Sequence, residues 1–250
     1  MPIALITGAS AGIGQATARL LGKNGYDLII CGRRQERLDE LSRELSGQCK
    51  VHSLRFDVRD KDAVQGQING LPEEWQQIDL LINNAGNAHG LDTVQDASLD
   101  DWDAMIDINV KGLLYVSKAV LPGMVSRNQG HIINIGSTAG KEVYPKGNVY
   151  CASKHAVDAF TQGMRLDLNQ HGIKVTAINP GLVETEFSMV RFKGDEERAK
   201  TVYAGMTPLR PEDVAETILF AATRPAHVNI ADIILMPTDQ ASSTVVKRNS

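Results

Sequence analysis

Short apolar runs alternate with amphipathic helical patterns from one end of the chain to the other, and this alternation limits the fold more than any other feature. Segments 3–6, 27–31, 51–56, 80–82, 131–135, 174–178 and 233–235 read as strands. Helical patterns stand beside them: 13–24 carries Ala16, Leu20 and Leu21 on one face, and 35–45 carries Leu38, Leu41 and Leu45. A third runs over 148–171. Strands this apolar need cover on both faces, and strand–helix–strand order supplies it by laying the strands parallel. The expected fold is therefore α/β, a doubly wound parallel sheet of about seven strands with helices on both faces. No Gly/Ser-rich or Pro-rich spacer and no fixed-period repeat interrupts residues 1–250, so one domain is expected. The weakly patterned tail 242–250 is expected to be loosely held or used in subunit contacts.

Composition narrows the function. Lys and Arg number 26 against 30 Asp and Glu, a formal charge of -4, which leaves no cationic excess for nucleic acid or an anionic membrane. Neither partner is expected. No apolar run approaches the roughly 18 residues of a membrane span, and the first residues lack the basic-then-apolar pattern of a signal peptide. Cys31, Cys49 and Cys151 are odd in number and have no C-x-x-C spacing, as expected for reduced thiols in a cytoplasmic protein with no metal site.

Gly8, Gly12 and Gly14 fill the turn from the first strand into the first helix. In a parallel sheet that turn seats a dinucleotide pyrophosphate against helix N-terminal N–H groups, and a Cβ there would block the approach. The spacing is G-x-x-x-G-x-G rather than the general G-x-G-x-x-G. An NAD site places an acid about 20 residues on, against the ribose 2′-OH. Here the second strand runs into Arg33 and Arg34, whose guanidinium groups suit a 2′-phosphate that a carboxylate would repel. NADP(H) is the expected cofactor.

Tyr150 and Lys154 lie four apart within a helical pattern, so phenol and ammonium share one face. An ammonium beside a phenol favours phenolate and makes the tyrosine a usable acid or base. Ser137 follows the strand at 131–135 and is placed to hydrogen-bond a substrate oxygen. No G-x-S-x-G elbow supports a hydrolase reading.

Together, Thr7-Gly8-Ala9-Ser10-Ala11-Gly12-Ile13-Gly14, Asn83-Asn84-Ala85-Gly86, Asn109, Ser137, Tyr150-Cys151-Ala152-Ser153-Lys154 and Asn179-Pro180-Gly181 occur in an order that resembles the short-chain dehydrogenase/reductase family. The resemblance covers essentially the whole chain and implies a Rossmann-type sheet and a hydride transfer. It also implies roles. Tyr150 is then the proton donor or acceptor, Ser137 orients the substrate oxygen, Lys154 lowers the tyrosine pKa and holds the nicotinamide ribose, and Asn109 supports a water-linked proton relay. The glycine turn with Ser10, Ala11 and Ile13 holds the pyrophosphate. Asn83, Ala85 and Gly86 line the adenosine side, Asp57 and Val58 lie near the adenine, and Pro180, Gly181, Val183 and Thr185 border the nicotinamide. A homotetramer is a further implication.

Within that family, segments 186–195 and 224–230 are similar to NADP-dependent 3-hydroxy acid dehydrogenases, which act on L-serine, L-allo-threonine and related acids or reduce malonic semialdehyde. A substrate carboxylate needs a cation, and the expected substrate loop, 183–210, offers Arg191, with Lys193 as second choice. Tyr144 and His89 are lesser candidates; Trp75 and Trp102 are expected to pack helices. A broad carbonyl reductase, a 3-oxoacyl reductase and a cofactor-binding regulator without turnover are the competing readings.

Overall fold

The computed structural model describes residues 1–249 and forms one seven-stranded sheet in the order β3-β2-β1-β4-β5-β6-β7. The strands are β1 (Ile3–Thr7), β2 (Asp27–Gly32), β3 (Val51–Arg55), β4 (Ile78–Asn83), β5 (His131–Ile135), β6 (Lys174–Pro180) and β7 (Asp232–Leu235), and every pairing is parallel. Helices α1 (Gly12–Lys23), α2 (Gln35–Leu45), α3 (Lys61–Asn69), α4 (Leu99–Ile106), α5 (Leu113–Arg127) and α6 (Asn148–Leu168) connect them as far as β6. Helices α7 (Phe187–Arg191), α8 (Glu196–Tyr203) and α9 (Pro211–Ala222) lie between β6 and β7.

Side-chain alternation in the strands divides the core. Leu5, Ile29, Leu81, Ile132 and Val175 pack with Val116 and Met124 of α5 and Met164 of α6. Ile6, Ile30, Ile82, Ile133 and Ile178, each an odd number of residues further along its strand, pack on the opposite face with Leu21 of α1, Leu38, Leu41 and Leu45 of α2, and Ile218 of α9. All five residues of β1 are buried, as required of a central strand covered on both sides. Asp60 caps α3 by accepting from the N–H groups of Asp62 and Ala63. At α9, Pro211 occupies the first turn and Asp213 accepts from Arg210 N at 2.7 Å. Trp75 is buried in the first core, and Trp102 packs near Met105, as expected of helix-packing residues.

The expected substrate loop, 183–210, carries α7 and α8, and its ends are tied by the Val183–Leu209 bridge and by Glu184 N donating to Leu209 O at 2.8 Å. The tail is hydrogen-bonded back onto the chain over 242–249. It turns back through a Gln240–Val246 bridge, Lys247 N donates to Asp239 O at 2.7 Å, and Asn249 N donates to Gly205 O at 2.7 Å. Those backbone bonds carry no hydrophobic pattern, which is why the sequence does not display them. Ser250 lies outside the described residues. No described helix is long and apolar enough to cross a membrane.

His131 opens β5 in the core, its Nε2 2.8 Å from Thr176 Oγ1 and its Nδ1 without a partner. Burial, with the Lys174 charge adding to it, pushes the imidazole down from 6.5 to about 3. The unfolded chain therefore takes up a proton that the folded chain refuses, so stability falls as pH drops below 6.5 towards 3. We expect a loss of about 3 kcal/mol from this group between pH 7 and pH 4. Urea unfolding against pH should give a shallower slope for His131→Gln than for the wild type; equal slopes would contradict this.

Candidate active site

Strand order reverses between β1 and β4, and a cleft of about 810 Å³ opens there at the carboxyl ends of the strands. Gly8, Ser10, Ala11, Gly12 and Ile13 form one wall, where the chain leaves β1 for α1. Gly8 and Gly12 hold φ at +67° and +53°, a conformation that disfavours side chains. Gly14 does not line the cleft, contrary to expectation. A Cβ at Gly14 would sit 2.5 Å from both Gly8 O and Asn84 Nδ2, so this glycine lets α1 close on the turn instead.

Asn83 is likewise displaced from its expected place. Ending β4, it is buried inside the sheet and donates to Ser117 Oγ and Asn134 Oδ1, both at 2.9 Å. The next residue, Asn84, reaches the cleft. Its Nδ2 donates to Thr7 O at 2.9 Å and Gly8 O at 3.3 Å, tying the two cofactor-side turns together. Strand alternation alone, continued one residue past β4, would have separated the two asparagines. Ala85 and Gly86 line the cleft as expected.

At the β2 end, Arg33 and Arg34 border the cleft with Asp57 and Val58. Burial raises the Asp57 carboxyl, but hydrogen bonds and charge from Arg59, with the Arg33 charge, outweigh that and hold it below its ordinary range. Asp57 lies 2.7 Å from Arg59 and 3.7 Å from Arg33. Arg34 Nη2 donates to Ser10 Oγ at 3.2 Å, beside the glycine turn. These residues fit an NADP-type dinucleotide: the turn leaves room for a pyrophosphate, and the β2 end supplies two guanidinium groups with no carboxylate of its own.

On the opposite wall, α6 sends Tyr150 and Lys154 into the cleft from one face, and Ser137 joins them from the turn after β5. Both helical side chains are 8% exposed. Burial raises the phenol well above its ordinary value, and the neighbouring Tyr144 adds to this; the Ser137 hydroxyl and the Arg191 charge pull the other way. Lys154 Nζ donates to Ile135 O at 3.0 Å, and burial pushes the ammonium down to about 8. Pro180, Gly181, Val183 and Thr185 complete this end of the cleft after β6.

Asn109 does not line the cleft; it is 2% exposed, in a π-helical turn (Asp107–Gly112) joining α4 to α5. Its Nδ2 donates to Asn87 O at 2.8 Å and Ser153 Oγ at 3.0 Å, and its Oδ1 accepts from Asn87 N at 2.8 Å. The side chain thus braces the Gly86–Asn87 backbone from behind.

Arg191 closes the site from the end of α7. Its Nε donates to Gly90 O at 3.0 Å, and its guanidinium carbon lies 5.7 Å from the Tyr144 ring centre and 5.6 Å from that of Tyr150. Its Nη2 is buried without a hydrogen-bond partner. A buried, unpaired guanidinium donor is costly and suits an anion. Lys193 instead pairs with Asp101 at 2.9 Å. His89 lines a small recess next to the main cleft, with Nε2 2.8 Å from Asn87 Nδ2; burial lowers its pKa. Neither lines the main cleft. Cys31, Cys49 and Cys151 are buried and free, and no metal-binding group of His, Cys, Asp and Glu occurs among the described residues.

Known proteins are similar to this chain in sequence and fold. A family model described as short chain dehydrogenase matches residues 2–196. The NADP-dependent 3-hydroxy acid dehydrogenase of Salmonella typhi is 50% identical over 240 residues, covering 96% of this chain and 96% of the relative. Sulfoacetaldehyde reductase 2 of Chromohalobacter salexigens is 48% identical over 242 residues, with 96% of each chain covered. The closed form of a serine dehydrogenase complexed with NADP+ superposes with a TM-score of 0.93 at 48% identity, over 99% of this chain and 100% of that one. With the glycine turn, the Ser137–Tyr150–Lys154 cluster and the parallel sheet all in place, the chain belongs to the short-chain dehydrogenase family.

Proposed function

We propose that this protein is an NADP-dependent dehydrogenase of small 3-hydroxy acids, of the L-serine, L-allo-threonine and 3-hydroxypropionate type. The observation that carries the reading is the buried, unpartnered Nη2 of Arg191 beside the Tyr150 ring. A carboxylate held there places the carbon two bonds further along within reach of Tyr150 and Ser137, which is the position of a 3-hydroxyl. Names of relatives at 50% and 48% identity, a 3-hydroxy acid dehydrogenase and a sulfoacetaldehyde reductase, fit a site that recognises a small anionic head.

In this mechanism Arg191 fixes the acid end, with the Tyr144 phenol on the same side of the cleft. Ser137 hydrogen-bonds the substrate oxygen, and Tyr150 takes its proton in oxidation or returns it in reduction. The cofactor supplies the hydride acceptor or donor. Gly8, Ser10, Ala11, Gly12 and Ile13 would seat its pyrophosphate, Arg33 and Arg34 its 2′-phosphate, Asp57, Val58, Ala85 and Gly86 its adenosine side, and Lys154, Pro180, Gly181, Val183 and Thr185 its nicotinamide half. Asn109 acts as a positioning residue through Asn87. A cytoplasmic location and a homotetramer belong to the same reading; Leu166 on α6, Phe220 on α9 and Ile234 on β7 are exposed apolar side chains that subunit contacts would cover.

The test is an initial-rate comparison of L-serine and 3-hydroxypropionate, each with NADP+ and with NAD+. We expect turnover of at least one acid and a clear preference for NADP+; binding of NADP+ with no turnover of either would overturn the substrate class. The pH dependence has a definite sign. A phenol raised by burial is protonated at neutral pH, the form needed to donate in reduction, whereas oxidation needs phenolate. Hydroxy-acid oxidation should therefore climb with pH into the alkaline range while aldehyde reduction does not, and a shared upward profile would contradict the assignment of Tyr150.

A further inference from the structure

One of the two arginines assigned to the 2′-phosphate, Arg34, already holds an anion of the chain itself. Glu186, the residue immediately before α7, accepts from Arg34 Nη1 through Oε2 at 3.0 Å and from Arg37 Nη1 through Oε1 at 2.6 Å. These contacts cross the cleft, since Arg34 follows β2 and Glu186 follows β6, and both residues line it. Arg37 lies in the first turns of α2. The Arg37 hydrogen bond foremost, and then that of Arg34, hold the Glu186 carboxyl below its ordinary range, so it is anionic at neutral pH.

We propose that Glu186 and Arg37 together set how strongly the cleft takes a 2′-phosphorylated dinucleotide: Glu186 competes with the phosphate for Arg34, and Arg37 retains the carboxylate when Arg34 turns to the phosphate. This rests on the placement of the 2′-phosphate at Arg34. A phosphate dianion and a carboxylate on one guanidinium lie well inside the ~8 Å screening length and repel each other. Because the two carboxylate oxygens are held by different arginines, one bond can break while the other keeps α7, and with it Arg191, docked on the cleft. A dinucleotide without the phosphate has no claim on Arg34 and leaves the bridge intact. Glu186 therefore lowers the affinity for NADP(H) and not for NAD(H), while Arg37 limits that loss.

All three side chains are nearly half exposed, so the effects are moderate. The experiment is titration of the ligand-free protein with NADP+ and with NAD+, followed by calorimetry or intrinsic fluorescence, in the wild type, Glu186→Gln, Arg37→Ala, the double variant and Arg34→Ala. We expect Glu186→Gln to tighten NADP+ binding by about three- to tenfold and Arg37→Ala to weaken it by a similar factor, with Kd for NAD+ unchanged in both. In the Glu186→Gln background, Arg37→Ala should have no effect. An unchanged NADP+ affinity in Glu186→Gln, an equal change for both dinucleotides, or an undiminished Arg37→Ala effect in the double variant would each overturn the proposal. Arg34→Ala separates the two levels. If it weakens NADP+ selectively while Glu186→Gln does nothing, the competition alone is wrong; if it spares NADP+, the phosphate placement fails as well.

Discussion

Burial of the Tyr150 phenol against Ser137 and Arg191 is the interaction around which the site is organised. Taken out of water, the phenol resists ionisation, and the hydroxyl of Ser137 and the charge of Arg191 only partly offset this. The residue is therefore an acid at rest, and becomes a base only with help from its surroundings. In the proposed reading Arg191 would have a double role, since the cation that suits a substrate carboxylate also acts on the Tyr150 phenol. Its position depends on α7, held on one side by Gly90 and on the other by the Glu186 bridge to α2.

The sheet makes that arrangement possible. Apolar strands buried on both faces fix the carboxyl ends of β1, β4, β5 and β6 side by side, so four turns far apart in sequence meet at one cleft. Close packing does the fine placement. Gly14 lets α1 approach the Gly8 turn, and Asn84 ties that turn to the one after β4. Most of the polar side chains behind the cleft are spent on the backbone or on each other, as with Asn109 and Asn83, which keeps the walls rigid.

The strand pattern was legible because buried parallel strands are written as uninterrupted apolar runs, and segments 35–45 and 131–135 coincide with α2 and β5. Placements that follow from type and spacing were legible too: the Tyr150–Lys154 pair shares its face, and Arg33 and Arg34 border the cleft. What escaped depends on contacts between distant segments. Nothing local tells that Lys154 is engaged by the Ile135 carbonyl, or reveals that Glu186 reaches across to Arg34 and Arg37. The folded tail and the helices of 183–210 were hidden for the same reason, being held by hydrogen bonds to partners far along the chain.

In the proposed function an anionic head on Arg191 presents the reacting carbon to Tyr150. This is tested most directly by comparing kcat/KM for 3-hydroxypropionate and for its neutral methyl ester, in the wild type and in Arg191→Ala. A charged hydrogen bond of this kind predicts an acid preference of about 10- to 100-fold in the wild type that collapses in the variant. An acid preference that survives the loss of Arg191, with NADP+ affinity intact, would contradict the account.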